Sequence, residues 1–249
     1  MSDSPERATV VLVHGAWHGA WCWDAVVPLL EAAGIPSIAV DLPGHGASNE
    51  PVGDLYTDAD HVRRVLGSID GPIILVGHSY GGAVISEAAS GVPGVRSLVY
   101  VCAIVPDIGE TVGAVPMEDL PTDDRADDRA GELGELIQVH ADGTTTIDVS
   151  GAAPFFYADC EPATAADSLK RLGPQSSTSF VQPLRHAAWR EIPSTYVVCT
   201  EDQVMPAPFQ RALASRAGST VVEWPTSHSP FLSRPDLVAA LLVRLAGGS

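Results

Sequence analysis

Ser79 is the residue of this 249-residue chain whose surroundings most clearly favour covalent chemistry. It lies in the sequence GHSYG at 77–81, which follows an apolar run and precedes a stretch of small residues. A G-x-S-x-G sequence between a strand and a helix is typical of a sharp turn that exposes the serine hydroxyl. A serine hydroxyl is a weak nucleophile and needs a neighbouring base. The sequence therefore predicts Ser79 as a nucleophile with a histidine partner.

Two residues that could activate Ser79 follow later strand-like runs. His228 comes after the run at 220–224, and Asp202 comes after the run at 194–199. His228 could accept the Ser79 proton and return it to a leaving alcohol, while Asp202 would fix the tautomer of the imidazole. Because the carboxyl ends of parallel strands meet at one edge of a sheet, we predict that the three form a catalytic triad. Acid pH, which protonates the imidazole, should then abolish activity.

Acyl transfer also needs two backbone N–H groups that face the developing oxyanion. One should belong to Tyr80, the residue after the nucleophile. The other should come from the loop after the first strand, HGAW at 14–17, and we assign it to Ala16. Aromatic residues near these loops are candidates for the substrate-binding wall. They are Trp17, Trp21, Phe155, Phe156 and Tyr157.

Strand-like and helix-like segments alternate along the first hundred residues. Short apolar runs rich in β-branched residues occur at 9–13, 72–76 and 95–101, as is typical of buried parallel strands. Helical periodicity covers 23–33 and 57–69. Such alternation predicts the α/β fold class, with a mostly parallel central sheet flanked by helices.

The alternation stops between about 106 and 185. This stretch contains an acidic, turn-rich run at 118–135 and a candidate hairpin at 141–143. Segments inserted between two halves of a sheet often form lids over active sites. We predict one domain with its core at 1–105 and 186–249 and an inserted cap at 106–185. For the acidic run alone, a disordered loop is the alternative.

Charge and cysteine content limit the partners of the chain. Its 14 basic and 31 acidic side chains give a net charge of −17, which disfavours nucleic acids and anionic membranes. The four cysteines form no C-x-x-C pair, and the other histidines lack metal-ligand spacing. No leader-like segment begins the chain, and no apolar stretch reaches about 18 residues. We expect a cytoplasmic monomer or homodimer that binds a small-molecule ester and needs no metal or cofactor.

Several of these motifs also carry a family resemblance. The strings HGAWHGAWCW at 14–23 and GHSYGG at 77–82 resemble the plant methylesterase and hydroxynitrile lyase branch of the α/β-hydrolase superfamily. They are also similar to bacterial esterases related to that branch. DLPGHG at 41–46, TEDQVMP at 200–206 and TSHSPFLSRP at 226–235 match the same pattern. The resemblance covers both ends of the predicted sheet.

The resemblance implies an α/β-hydrolase fold and a defined set of site residues. Ser79, Asp202 and His228 match the family's triad, and Ala16 and Tyr80 match its oxyanion donors. The implied activity is that of a serine hydrolase that cleaves a carboxylic ester of a small or medium apolar substrate through an acyl-enzyme. A thioesterase, lactonase or cyclase of specialised metabolism is an alternative, and so is a ligand-binding protein on the same fold.

Hydroxynitrile lyase activity is a further alternative within the branch. Lyases of this type resemble one another in having a lysine directly after the catalytic histidine and a threonine in the first-strand loop. Ser229 and Gly15 occupy those places here, and Lys170, the single lysine of the chain, lies in the predicted cap. The sequence therefore disfavours the lyase and favours ester hydrolysis.

Overall fold

A computed structural model of the chain describes residues 7–115 and 131–247. Within this part, six strands form a parallel sheet, and three short strands form an antiparallel sheet. The strands are β1 (Thr9–Val13), β2 (Ser37–Val40), β3 (Ile73–His78), β4 (Val95–Val101), β5 (Ile137–Val139), β6 (Thr144–Ile147), β7 (Gln175–Ser176), β8 (Ser194–Cys199) and β9 (Thr220–Trp224). The strand orders are β2-β1-β3-β4-β8-β9 and β5-β6-β7. The predicted α/β fold is confirmed.

Helices cover both faces of the large sheet. No helix of the described residues is long and apolar enough to cross a membrane. The α-helices are α1 (Val27–Ala32), α2 (Leu55–Leu66), α3 (Gly81–Ala88), α4 (Val149–Phe156), α5 (Pro162–Leu169), α6 (Ala207–Arg216), α7 (Pro230–Ser233) and α8 (Pro235–Ala246). Short 3-10 turns lie at Ala20–Trp23, Ser177–Phe180 and Ala188–Arg190.

Because successive side chains of the buried strands point to opposite faces, each face of the sheet has its own apolar core. In β1, Val11 and Val13 pack on the face covered by α2, α3 and α6, whereas Val10 and Leu12 pack on the face covered by α1 and α8. Successive side chains of a strand point to opposite faces, so a strand covered on both sides must be apolar throughout. This explains the continuous apolar runs at 10–13 in β1 and at 73–76 in β3.

Two helices begin at residues other than those predicted. The segment expected as one helix over 23–33 starts with the Ala20–Trp23 turn, and α1 begins only at Val27, where Pro28 fits the first turn. The helix expected over 57–69 starts earlier, at Leu55, because the Asp54 side chain accepts a hydrogen bond from the Thr57 N–H. The predicted starts were wrong because Pro28 in the first turn of α1 and the Asp54 cap of α2, rather than apolar periodicity, set them.

The stretch predicted as a cap contains its own small sheet. β5 and β6 form an antiparallel hairpin that turns at 141–143, as predicted, and β6 also pairs with β7. The helices α4 and α5 lie between β6 and β7 in the chain. Most of the acidic run at 118–135 falls outside the described residues. The cap boundaries at 106 and 185 remain a prediction.

A buried glutamate joins the end of this stretch to the core. The carboxylate of Glu87, on α3, is almost fully buried and accepts hydrogen bonds from the Arg185 N–H and guanidinium and from the His186 N–H. Removing a buried acceptor leaves its donors unpaired, which costs more than the bond itself contributed. Glu87 therefore fixes the chain at 185–186 against α3.

We expect Glu87→Ala to lower the free energy of unfolding by about 1–3 kcal/mol, because three donors lose their acceptor. Urea unfolding of both proteins measures the difference. Glu191→Ala, at an exposed site, is the matched control and should change stability little. Equal losses in the two variants would contradict the assignment.

Candidate active site

Ser79 occupies a strained turn between β3 and α3. Its φ angle is 51°, in the left-handed region that favours glycine. A Cβ atom at Gly77 would lie 2.6 Å from the Gly81 carbonyl oxygen, and one at Gly81 would lie 2.6 Å from the His14 carbonyl oxygen. The turn is therefore possible only because both flanking positions are glycine. The sequence GHSYG thus forms the sharp strand-to-helix turn that it predicts.

The loop after β1 lies directly against this turn. A Cβ atom at Gly15 would come within 2.9 Å of the Ser79 Cβ atom. Within residues 7–115 and 131–247, the backbone N–H groups of Ala16 and Tyr80 donate to no other residue. The Ser79 side chain is half-buried, and its hydroxyl likewise has no hydrogen-bond partner in the described part of the chain. Two donors and one hydroxyl are thus left for a ligand.

His228 and Asp202 form a buried pair at the adjacent loops after β9 and β8. His228 Nδ1 lies 2.8 Å from Asp202 Oδ2, and both side chains are almost fully buried. A carboxylate accepts, so Nδ1 carries the proton in this bond. The Nε2 atom of His228 is then the ring nitrogen that can accept a proton from another group.

Asp202 is held by donors on both of its oxygens. Oδ1 accepts from the N–H groups of Val204 and Met205 at 2.7 and 2.9 Å. Oδ2 accepts from Gln210 Nε2 at 3.1 Å as well as from His228. Gln210 is fully buried on α6, so its amide is fixed by the core. These bonds orient the carboxylate towards the imidazole.

The backbone of His228 is fixed by residues below it. His78 Nε2 lies 2.9 Å from the His228 carbonyl oxygen, and the Cys102 thiol donates to the same oxygen. These three residues also have potential metal-ligand atoms within 4.8 Å of one another. However, the His78 and Cys102 donors are already used by the carbonyl, and burial raises the pKa of the Cys102 thiol. The cluster is therefore suited to holding the loop rather than a metal.

Asp159, from the predicted cap, holds the residue before His228. Its two carboxylate oxygens accept from the Ser227 N–H at 3.0 Å and from the Ser227 hydroxyl at 2.5 Å. The loop that carries His228 is thus bonded to the segment after α4 as well as to the sheet. Sequence reasoning missed this contact because the two residues are 68 positions apart.

Aromatic rings gather beside the pair. Phe156 lies with its ring centroid 6.1 Å from that of His228, and Trp17 packs on Phe156 at 6.2 Å and on Phe180 at 5.6 Å. Trp17 is fixed by a bond from its Nε1 to the Thr145 hydroxyl at 3.1 Å. Three of the predicted substrate-binding residues, namely Trp17, Phe156 and Tyr157, therefore lie in one aromatic cluster near His228.

His18 links this cluster to the β1 loop as a neutral ring. Its Nδ1 lies 2.9 Å from the Ala16 carbonyl oxygen, and its Nε2 lies 2.8 Å from the Tyr157 hydroxyl. Burial lowers the pKa of His18 to about 4. The neutral ring donates from Nδ1 and accepts from Tyr157, so both nitrogens are satisfied. Sequence reasoning treated His18 only as a residue without metal-ligand spacing.

Trp21 lies at the edge of this cluster, beside an outer cleft. Trp21 stacks on His18 at 5.4 Å, and the Arg171 guanidinium lies 4.7 Å from the centre of its ring. It lines an outer cleft of about 840 Å³ with Arg171 and Asp24. Phe155 is buried in the core. A substrate-binding role for these two remains a prediction.

Comparison with known proteins places the chain in a family. Residues 10–241 match the alpha/beta hydrolase family. The chain belongs to this family. A carbendazim-hydrolyzing esterase of Nocardioides sp. is 31% identical over 96% of this chain and 99% of its own length. Methylesterase 7 of Arabidopsis thaliana is 29% identical over 98% of each chain.

Solved structures support the same assignment. The crystal structure of a pyrethroid hydrolase from Sphingobium faniae JZ-2 matches with a TM-score of 0.81 and 31% identity, over 96% of this chain and 97% of that one. The predicted resemblance to plant methylesterases and bacterial esterases is confirmed. Since these relatives are named as esterases and hydrolases, the chain is a hydrolase of the carboxylesterase type.

We expect Gly15→Ala to reduce ester hydrolysis by at least about tenfold, because its Cβ atom would displace Ser79 or the His78 ring, and small misplacements at reacting groups are costly. Initial rates of the two purified proteins measure the effect. Gly134→Ala is the control, since nothing lies within 4 Å of a Cβ atom there. Equal rates for Gly15→Ala and the native hydrolase would show that the turn tolerates the added atom.

Proposed function

We propose that the hydrolase cleaves a carboxylic ester of a small or medium apolar substrate through an acyl-enzyme on Ser79. The observation that carries the proposal is the buried 2.8 Å bond between His228 Nδ1 and Asp202 Oδ2. It commits Nδ1 to the carboxylate and leaves Nε2 as the proton acceptor, which is the state that a general base requires. The strained turn at Ser79 and the loop after β1 supply the nucleophile and the donors.

The first half of the reaction forms the acyl-enzyme. The Ser79 oxygen adds to the ester carbonyl carbon as His228 Nε2 takes the hydroxyl proton. The resulting oxyanion accepts from the N–H groups of Ala16 and Tyr80, and Asp202 stabilises the imidazolium. The carbon–oxygen bond to the alcohol then breaks, and His228 returns the proton to the leaving alkoxide.

The second half removes the acyl group. Water adds to the acyl carbon while His228 Nε2 takes one of its protons. The bond to Ser79 breaks, and the proton returns to the serine oxygen as the carboxylic acid leaves. Water, one serine, one imidazole, one carboxylate and two N–H donors are sufficient for these steps. In apo structures, catalytic hydrogen bonds are often long and tighten only with substrate bound, so the unpaired Ser79 hydroxyl fits this scheme.

The aromatic cluster supports an apolar substrate. Trp17, Phe156 and Phe180 pack against one another beside His228 and offer ring faces and edges rather than charges. Apolar and aromatic walls with few polar groups are typical of small-molecule sites. The relatives named as a carbendazim-hydrolyzing esterase and a pyrethroid hydrolase are consistent with an apolar substrate.

Three observations argue against cyanohydrin cleavage. Ser229 follows His228 and is fully buried, and its hydroxyl has no partner in the described part of the chain. Lys170 is about three-quarters exposed and pairs with Asp167. Gly15 has no room for a threonine side chain, since a Cβ atom alone would lie 2.8 Å from His78 Nδ1. No cation is therefore placed to stabilise a departing cyanide in the part of the site described by the structure.

We expect Ser79→Ala to lower the rate on p-nitrophenyl esters of short to medium chain length by at least about 10³-fold, because the acyl-enzyme cannot form. Ser150→Ala, at an exposed serine in α4, is the matched control and should retain full activity. Release of p-nitrophenol measures both. If the native chain hydrolyses none of these esters, the general esterase function is wrong. If Ser79→Ala keeps the native rate, the assignment of Ser79 as the nucleophile is wrong.

Activity should fall as the pH is lowered, because a protonated His228 cannot accept the Ser79 proton. Rates measured from pH 4 to 9 at saturating and at low substrate test this expectation. His228→Ala should be slower by at least about 10³-fold and should lose this dependence. Full activity of the native protein at pH 4 would exclude His228 as the general base.

A further inference from the structure

A second buried acid lies behind the nucleophile turn. Asp58, on α2, is fully buried and points towards α3. Its Oδ2 atom accepts a hydrogen bond of 2.7 Å from the Tyr80 hydroxyl, while its Oδ1 atom has no partner among the described residues. A buried carboxyl with an unpaired oxygen destabilises a fold. Its presence here calls for a functional explanation.

Tyr80 connects this carboxyl to the oxyanion donor. Tyr80 follows Ser79 directly and caps the N-terminus of α3, and its N–H is one of the two proposed donors. Its side chain is fully buried, with the ring 6.1 Å from that of Phe180. The bond to Asp58 is therefore a polar anchor at the far end of this side chain, where the Ser179 hydroxyl also faces it. A shift of Tyr80 would move the N–H that faces the oxyanion.

No cation balances Asp58 within the described part of the chain. The titratable groups that face it are Tyr80 from α3 and Asp54 from the turn before α2. The Asp54 carboxylate disfavours a negative charge on Asp58, whereas the hydrogen bond from the Tyr80 hydroxyl favours it. The polar side chains of the turn at 177–180 are all hydroxyls. Of these, the Ser179 hydroxyl faces Tyr80 and accepts from Gln175 Nε2 at 3.0 Å. Burial, reinforced by Asp54, raises the pKa of Asp58 to about 7.

We propose that Asp58 is a positioning residue for the oxyanion donor at Tyr80, acting through the bond between its carboxyl and the Tyr80 hydroxyl, and that its ionisation modulates kcat. The inference rests on the proposed function, since it concerns the oxyanion donors of that reaction. Asp58 touches no substrate. It acts only through Tyr80.

The two protonation states of Asp58 should hold Tyr80 unequally. When Asp58 is ionised, the Tyr80 hydroxyl donates to a charged acceptor, and such bonds are shorter and about twice as strong as neutral ones. When Asp58 is protonated, the bond joins two neutral groups. The donor at Tyr80 is therefore more firmly placed above neutral pH. This predicts a second rise in kcat near pH 7, beyond the rise caused by deprotonation of His228.

Tyr80→Phe and Asp58→Asn test the two ends of this bond. Tyr80→Phe removes the hydroxyl and keeps the ring and the backbone N–H, so kcat should fall by about tenfold with KM nearly unchanged. Asp58→Asn keeps an acceptor oxygen for the hydroxyl but cannot ionise. It should match the native protein below pH 6 and be slower by about two- to threefold above pH 8.

Two control variants match these changes. Asp60→Asn removes a charge from an exposed position of α2, and Tyr100→Phe removes a buried hydroxyl that bonds Ser86 instead. Neither should alter kcat or its pH dependence. An unchanged kcat in Tyr80→Phe, or an Asp58→Asn profile with the same shape as the native one, would overturn the proposal. Loss of activity in Ser79→Ala tests the proposed function separately.

Unfolding measurements give a readout that does not depend on catalysis. Because the pKa of Asp58 is raised on folding, the folded state binds this proton more tightly than the unfolded chain. The resulting stability is complete below about pH 4, declines as the pH rises and is absent above about pH 7. The stability of the native protein relative to Asp58→Asn should therefore fall between pH 4 and 7 in urea unfolding. A difference that stays constant with pH would show that Asp58 does not ionise in this range and would overturn the modulation.

Discussion

The close approach of three backbone segments at the Ser79 turn is the constraint on which the rest of the candidate site depends. The loop after β1, the end of β3 and the start of α3 come so near to one another that no side chain fits at Gly15, Gly77 or Gly81. Ser79 keeps a left-handed backbone conformation in the space that remains. Conformations of this kind persist only where the neighbouring structure enforces them. The buried parallel strands on both sides of β3 provide that enforcement.

The residues around this turn are held in place by buried hydrogen bonds between polar groups as well as by packing in the apolar core. Gln210 and two backbone N–H groups orient Asp202, and Asp202 in turn orients His228. On the other side, Asp58 holds Tyr80. Buried hydrogen bonds in a medium of low dielectric are strong when satisfied and costly when broken. Asp202 and Tyr80 are thus each held by a buried polar side chain outside the proposed triad.

The elements that carry the site were predictable because their sequences obey simple periodicities. The strands at 95–101, 194–199 and 220–224 have the bounds that their apolar, β-branched sequences indicate. The candidate triad was recognisable because each member follows one of the predicted strands. Helix starts were less predictable, because Pro28 in the first turn sets the start of α1 and the Asp54 cap sets the start of α2.

The supporting residues could not be found in the same way. Gln210 and Asp58 lie on helices, where a polar residue ordinarily faces solvent, and their buried partners come from distant parts of the chain. The bond between Asp159 and Ser227 joins the predicted cap to the loop of His228 and follows from no local pattern. Such pairs depend on tertiary packing, which periodicity and composition do not encode.

The hydrogen bonds that join distant parts of the chain around the candidate site also bear on the order in which the protein folds. Trp17 bonds Thr145 across 128 positions, His18 meets Tyr157 across 139, and His78 lies against the carbonyl of His228 across 150. Contacts between residues so distant in sequence form late, because long loops must close before they contribute. During synthesis from the N-terminus, the turn that carries Ser79 emerges long before His228, its proposed base. Under the proposed mechanism, the nascent chain gains activity only when its last strand has joined the sheet.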